Sequence, residues 1–165
     1  MRGLGRREFL TRGWQIAAGL MGVAGGWTSW DVLRARAEGG LGGVIKAMRD
    51  ADVTAETVVF VREAQSYLTR NGDVVVALWQ RCPHLGCRVS WCESSGEFEC
   101  PCHGSAFNRL GEVRSGPSPT GMQQFSVEVT DGEVFVDTGQ VIAGKDPGDE
   151  TIDEPKRGPS CSGEA

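Results

Sequence analysis

The spacing of apolar and polar positions divides the chain into four stretches. The first is an apolar, glycine-rich run from about Trp14 to Trp30, preceded by Arg6-Arg7-Glu8-Phe9-Leu10. Roughly 17 residues is near the lower limit for crossing a bilayer as a helix. Trp14, Trp27 and Trp30 suit its two interfaces, and Arg2, Arg6, Arg7 and Arg12 place its N-terminal side inside. The expectation is a cytoplasmic twin-arginine segment over 1–12 and one transmembrane helix over 13–32. Paired arginines ahead of a mildly apolar segment match a twin-arginine export signal, the alternative being an ordinary signal peptide or plain membrane helix. Ala35-Arg36-Ala37 is a small-x-small cleavage pattern, set against retention of the anchor. Retention is the expectation, with the rest of the chain outside the cytoplasmic membrane.

Residues 33–52 read as a linker, because four glycines among 37–43 impose little backbone preference. Residues 39–43 are the candidate hinge. Strand patterns follow at 58–61, 65–69 and 74–79, the last two joined by the hairpin signal Asn71-Gly72. Periodicity disappears over 81–121, where Cys, His, Gly and Pro accumulate, as in a loop-built site inserted into a sheet. It resumes at 125–129, turns at Asp131-Gly132 and ends at 134–136. The pattern predicts a mainly β domain over 53–137, a small antiparallel sandwich or barrel, with an inserted subdomain over 81–121. Residues 138–165 read as an extended acidic tail, with Asp146, Asp149, Glu150, Asp153 and Glu154 as a solvated run. No internal repeat is present.

Composition narrows the classes of function. A formal net charge of −5 leaves no basic arm to neutralise phosphates, which excludes nucleic acid as a partner. Glycine is abundant, at 24 residues, and aromatic residues make up 7%, which favours loops and short strands over a helical bundle. No phosphate-binding glycine loop occurs. The six cysteines would suit a secreted disulfide scaffold. However, Cys82, Cys87, Cys92, Cys100 and Cys102 share one window with the only two histidines, His84 and His103, and that clustering points to metal.

The window contains two boxes, Cys82-Pro83-His84-Leu85-Gly86-Cys87 and Cys100-Pro101-Cys102-His103-Gly104-Ser105. Each offers one thiolate and one imidazole, Cys82 with His84 and Cys100 with His103. Two Cys and two His suit either a structural zinc ion or a 2Fe–2S cluster with one iron on sulfur and the other on nitrogen. Cys87 and Cys102 favour the cluster, since zinc has no use for a further cysteine in each loop. A disulfide between them would tie the loops together. Ser105 could donate a hydrogen bond toward a cluster sulfur.

Both boxes resemble those of Rieske proteins from quinol–cytochrome c reductases, the cytochrome bc complexes. Gly116-Pro117-Ser118-Pro119 resembles the proline-rich loop that covers the cluster there, and the anchor and glycine-rich connection fit the same family. The resemblance implies that Cys82 and Cys100 hold the inner iron of a 2Fe–2S cluster, and His84 and His103 the outer one. It implies that an imidazole meets quinol and takes its proton. It also implies cytochrome b- and c-type partner subunits, the haem being a partner's because this chain has no Cys-x-x-Cys-His.

The chain departs from the family in three places. Phe107 stands where members usually carry a tyrosine hydrogen-bonded to a ligand sulfur, which implies a lowered potential and menaquinol as substrate. Cys92 and Cys161 lie outside the motif; a second disulfide between them is expected, two free thiols being the alternative. Ser118 and Thr120-Gly121 make the proline loop less apolar than usual. Two other functions compete: the small Rieske subunit of an exported molybdenum oxidoreductase of arsenite-oxidase type, and a soluble ferredoxin-like carrier for an oxygenase.

Overall fold

A computed structural model of the chain describes residues 5–33 and 42–161. Arg2, the Ala35-Arg36-Ala37 pattern and hinge residues Gly39, Gly40 and Leu41 lie outside the described residues. The chain divides into two compact units, before and after about residue 38.

The first unit is one helix, α1 (Arg6–Leu33). Thr11 and Thr28 turn their hydroxyls back onto the carbonyls of the preceding turn, and Glu8 pairs with Arg12 one turn on. The expected transmembrane span over 13–32 needs correction. Among the described residues no helix is long and apolar enough to cross a membrane. Length is not the shortfall, since 28 residues exceed what a bilayer needs. Gly13, Gly19, Gly22, Gly25 and Gly26, with Thr28 and Ser29, dilute the apolar side chains.

The second unit is built from short antiparallel strands: β1 (Val44–Arg49), β2 (Val59–Val61), β3 (Ser66–Asn71), β4 (Val74–Trp79), β5 (Ser90–Cys92), β6 (Glu97–Glu99), β7 (Ala106–Phe107), β8 (Val113–Ser115), β9 (Gln124–Thr130) and β10 (Glu133–Ile142). A six-stranded sheet runs β1-β10-β9-β4-β3-β2, and a four-stranded sheet runs β5-β6-β7-β8. The expected strands at 58–61, 65–69, 74–79, 125–129 and 134–136 correspond to β2, β3, β4, β9 and β10. The small sheet lies inside the stretch expected to be loops. Its strands are two or three residues long, too short for an alternation to show.

The linker expected over 33–52 also contains structure. β1 pairs with β10, placing Ile45 opposite Val136 and Met48 opposite Val134. Thr138 fastens its start, its hydroxyl accepting from the N–H groups of Gly42 and Gly43 and donating to the Gly43 carbonyl. The last two residues of the candidate hinge are therefore bolted to the sheet.

β3 and β4 explain how the sheet supports a second layer. In their register Leu68 faces Ala77 and Tyr67 faces Leu78. Alternation sends Leu68 and Ala77 into a core with Val61, Phe125, Val134 and Val136. It sends Tyr67 and Leu78 to the opposite face, into a second core with Val89, Phe98, Phe107, Met122, Cys82 and Cys100. A strand buried on both faces must be apolar without interruption, as 74–79 is. The second core joins the large sheet to the small one, and both box cysteines are embedded in it.

Candidate metal centre

The two boxes fold alike because their sequences place glycine at the same offset. In the first, the Gly86 N–H donates to the Cys82 carbonyl at 2.9 Å and the Cys82 N–H to the Cys87 carbonyl at 2.8 Å. In the second, the Gly104 N–H donates to the Cys100 carbonyl at 3.2 Å and the Cys100 N–H to the Ser105 carbonyl at 2.9 Å. Gly86 and Gly104, four residues past their cysteines, have φ of 81° and 73°, a conformation that glycine adopts without steric penalty. Each turn leaves its cysteine at the core and carries its histidine outward.

Cys82 and Cys100 are buried free thiols, while His84 is half-buried and His103 exposed. The imidazole centroids stand 4.9 Å apart at 88°. Burial pushes the Cys82 thiol above its ordinary 9.0; the backbone at His84 and Leu85 opposes this, and the adjoining Cys100 thiol adds to it. A thiol so placed resists ionising unless a cation compensates it.

The other four cysteines form disulfides, Cys87–Cys102 and Cys92–Cys161. The first ties the boxes to each other, and its sulfurs lie within 4.8 Å of the Cys100 sulfur. The second closes the tail onto β5. Of the stretch expected as an extended acidic tail, residues 138–142 belong to β10 and 143–161 form a strap: Glu154 pairs with buried Arg109, Glu150 with Arg114, and Ser160 and the Cys161 N–H donate to Glu99, the residue before Cys100.

The residues fit a cluster in more than composition. Ser105 is buried and its hydroxyl has no hydrogen-bond partner among the described residues, as a donor reserved for a cluster sulfur would be. Gly116, at the start of the proline loop, packs on the second box so closely that a Cβ there would stand 2.5 Å from the Ser105 Cα. Phe107 is fully buried in the same core as Cys82 and Cys100. Sequence reasoning passed over Tyr67, whose hydroxyl donates to the Val89 carbonyl just past the first box. It also passed over Arg81 and Arg88, whose positions directly flanking that box were visible in the sequence.

A cysteine pair inside and a histidine pair outside, on braced loops at one end of a small β fold, define an iron–sulfur protein of mixed ligation. The chain belongs to the Rieske 2Fe–2S domain family, which residues 43–126 match, and its cofactor is a Rieske-type 2Fe–2S cluster. It is similar to the cytochrome b6-f complex iron-sulfur subunit of Chlorobaculum tepidum, 36% identical over 42% of this chain and 38% of that one. It is also similar to the subunit of the same name from Synechococcus elongatus, 47% identical over 33% of this chain and 31% of that one. The matched stretch thus spans less than two thirds of either relative. Among solved structures, the cyanobacterial plasma membrane Rieske protein from Synechocystis PCC 6803 aligns at 23% identity with a TM-score of 0.42, covering 56% of this chain and 97% of that one.

Proposed function

We propose that the chain is the electron-transfer subunit of a quinol–cytochrome c reductase of the cytochrome bc type, oxidising quinol and passing the electron to a partner's c-type haem. The observation that carries the reading is the pairing of two buried free thiols with two adjacent, outward imidazoles. Cys82 and Cys100 hold one iron and His84 and His103 the other. When bound, the cluster supplies one-electron chemistry at a potential raised by its neutral imidazole ligands. One of the two imidazoles, His84 or His103, meets the quinol hydroxyl and holds its proton. Ser105 donates toward sulfur, and the Cys87–Cys102 disulfide keeps the loops closed. Menaquinol, the more reducing quinol, is the substrate, because Phe107 supplies no hydroxyl to the ligand sulfurs.

Two disulfides require an oxidising compartment, which supports export by the Arg6-Arg7 segment and a place on the outer face of the cytoplasmic membrane. Being glycine-rich and only mildly apolar, α1 keeps the domain there by packing among partner helices, where small residues allow close approach. Because Gly42 and Gly43 are fastened to Thr138, the tether on which the domain moves between donor and acceptor is the part of the expected hinge ahead of them, 39–41. No specific observation favours the molybdenum-enzyme or soluble-carrier readings.

The test is to purify the tagged chain from its native membranes in mild detergent and measure haem and metal content. Haems b and c, with about two further irons per copy, are expected. Molybdenum without haem b would overturn the assignment to a cytochrome complex.

A further inference from the structure

The first box carries charge that the cluster does not need. Arg81 and Arg88 stand directly opposite each other in an isolated antiparallel bridge at the neck of the loop. Like charges at opposed positions are destabilising, so folding alone gives no reason for the pair. Arg49, Arg70, Arg109 and Arg114 all meet carboxylates. Among the described residues Arg81 and Arg88 meet none, although the chain has five more acids than bases.

Both are nevertheless held in place. The Arg81 guanidinium lies 5.4 Å from the Trp79 ring centroid, that of Arg88 5.1 Å from the Phe60 ring centroid. The Arg81 side chain also lies against Gly86, where an added Cβ would stand 3.0 Å from its Nε. Stacking of this kind fixes the side chain and leaves its N–H donors free. Arg81 and His84 line one groove of about 670 Å³, together with Trp79, Leu85, Gln123 and Val141, and Leu85 at its lip is 70% exposed.

We infer that the rim of the first box, with Arg81 on the groove and Arg88 on the other side of the neck, is a docking surface for a redox partner that presents carboxylates around its own exposed cofactor edge. Arg81 and Arg88 steer the approach, Leu85 supplies the apolar contact, and the groove admits a carboxylate beside His84. The inference rests on the electron-transfer reading and specifies the charge of the partner. Fixed, unpaired cations in front of a redox centre raise the encounter rate with an oppositely charged partner, and salt removes the advantage.

The experiment is stopped-flow oxidation of the full-length, cluster-loaded chain in detergent by an acidic and, separately, a basic c-type cytochrome. With the acidic cytochrome the second-order rate is expected to fall about ten-fold as salt rises from roughly 0.02 to 0.3 M. Combining Arg81→Gln with Arg88→Gln should lower the low-salt rate by a similar factor and flatten its salt dependence. The rate with the basic cytochrome should be unchanged or higher. Equal changes with both cytochromes, or no change with either, would overturn the docking inference alone. A purified chain with no Rieske-type electron paramagnetic resonance signal would overturn the electron-transfer reading first and the inference with it.

Discussion

Position 107 shows how much one side chain can decide. Phe107 is fully buried, packed with Tyr67, Phe98 and the two free cysteines. The hydroxyl that the second box brings to this region is that of Ser105, which has no partner among the described residues. Phe107→Tyr would add a second donor beside the ligand sulfurs. A hydrogen bond worth about 1 kcal/mol more to the reduced cluster corresponds to roughly 40 mV for one electron. Redox titration of the variant should show a rise of that order, and an unchanged or lowered potential would remove the argument for menaquinol. The residue scale is also where the sequence was most informative. Both boxes, their glycines and the absent hydroxyl are local features of spacing and identity, so reading them needed no fold.

Among the elements, the strap over 143–161 departs most from expectation. A stretch rich in Asp, Glu, Pro and Gly carries no periodicity, so its sequence reads as solvated. Its order comes from partners distant in sequence: Arg109, Arg114 and Glu99 in the small-sheet region, and Cys92 across a separation of 69 residues. A cross-link closing so long a loop stabilises by roughly 4 kcal/mol in the chain-entropy account. Replacing Cys92 and Cys161 together with serine should lower the melting temperature by on the order of ten degrees. It should also open the chain to trypsin at Lys156 and Arg157 while the cluster stays bound. Unchanged melting and unchanged cleavage would show that the ion pairs alone hold the strap. β1 escaped sequence reading for a related reason, since its alternation is short and is completed only by pairing with β10.

For the molecule as a whole, Glu112 couples the parts. It is 4% exposed and lies between β7 and β8, taking hydrogen bonds from Asn108 in the same turn and from Lys145 and the Thr151 N–H in the strap. Burial alone would raise its carboxyl, but the Lys145 ammonium, the Thr151 hydroxyl and the Asn108 amide outweigh it and hold the group at about 2, below the ordinary 4.5. A depressed carboxylate contributes stability that is complete above the unfolded value and lost as pH falls toward the folded one. The window therefore runs from above pH 4.5 down to about 2, and the contribution is on the order of 3 kcal/mol. Denaturant melts should show the native chain losing stability across that window and Glu112→Gln losing much less; equal slopes would place the acid sensitivity elsewhere.

The sequence by itself determined the chemistry and the sheet's central strands. Ligand types, their spacing and the turn glycines are short-range properties, and a strand buried on both faces shows itself as an unbroken apolar run. Tertiary structure decided what depends on contacts across long sequence distances. It placed one core on each face of β3 and β4, turned the acidic tail into a strap and bolted the end of the linker to β10. It also left Arg81 and Arg88 without a carboxylate among the described residues. Which charges meet a partner inside the molecule, and which remain for a partner outside it, is fixed only when distant segments pack.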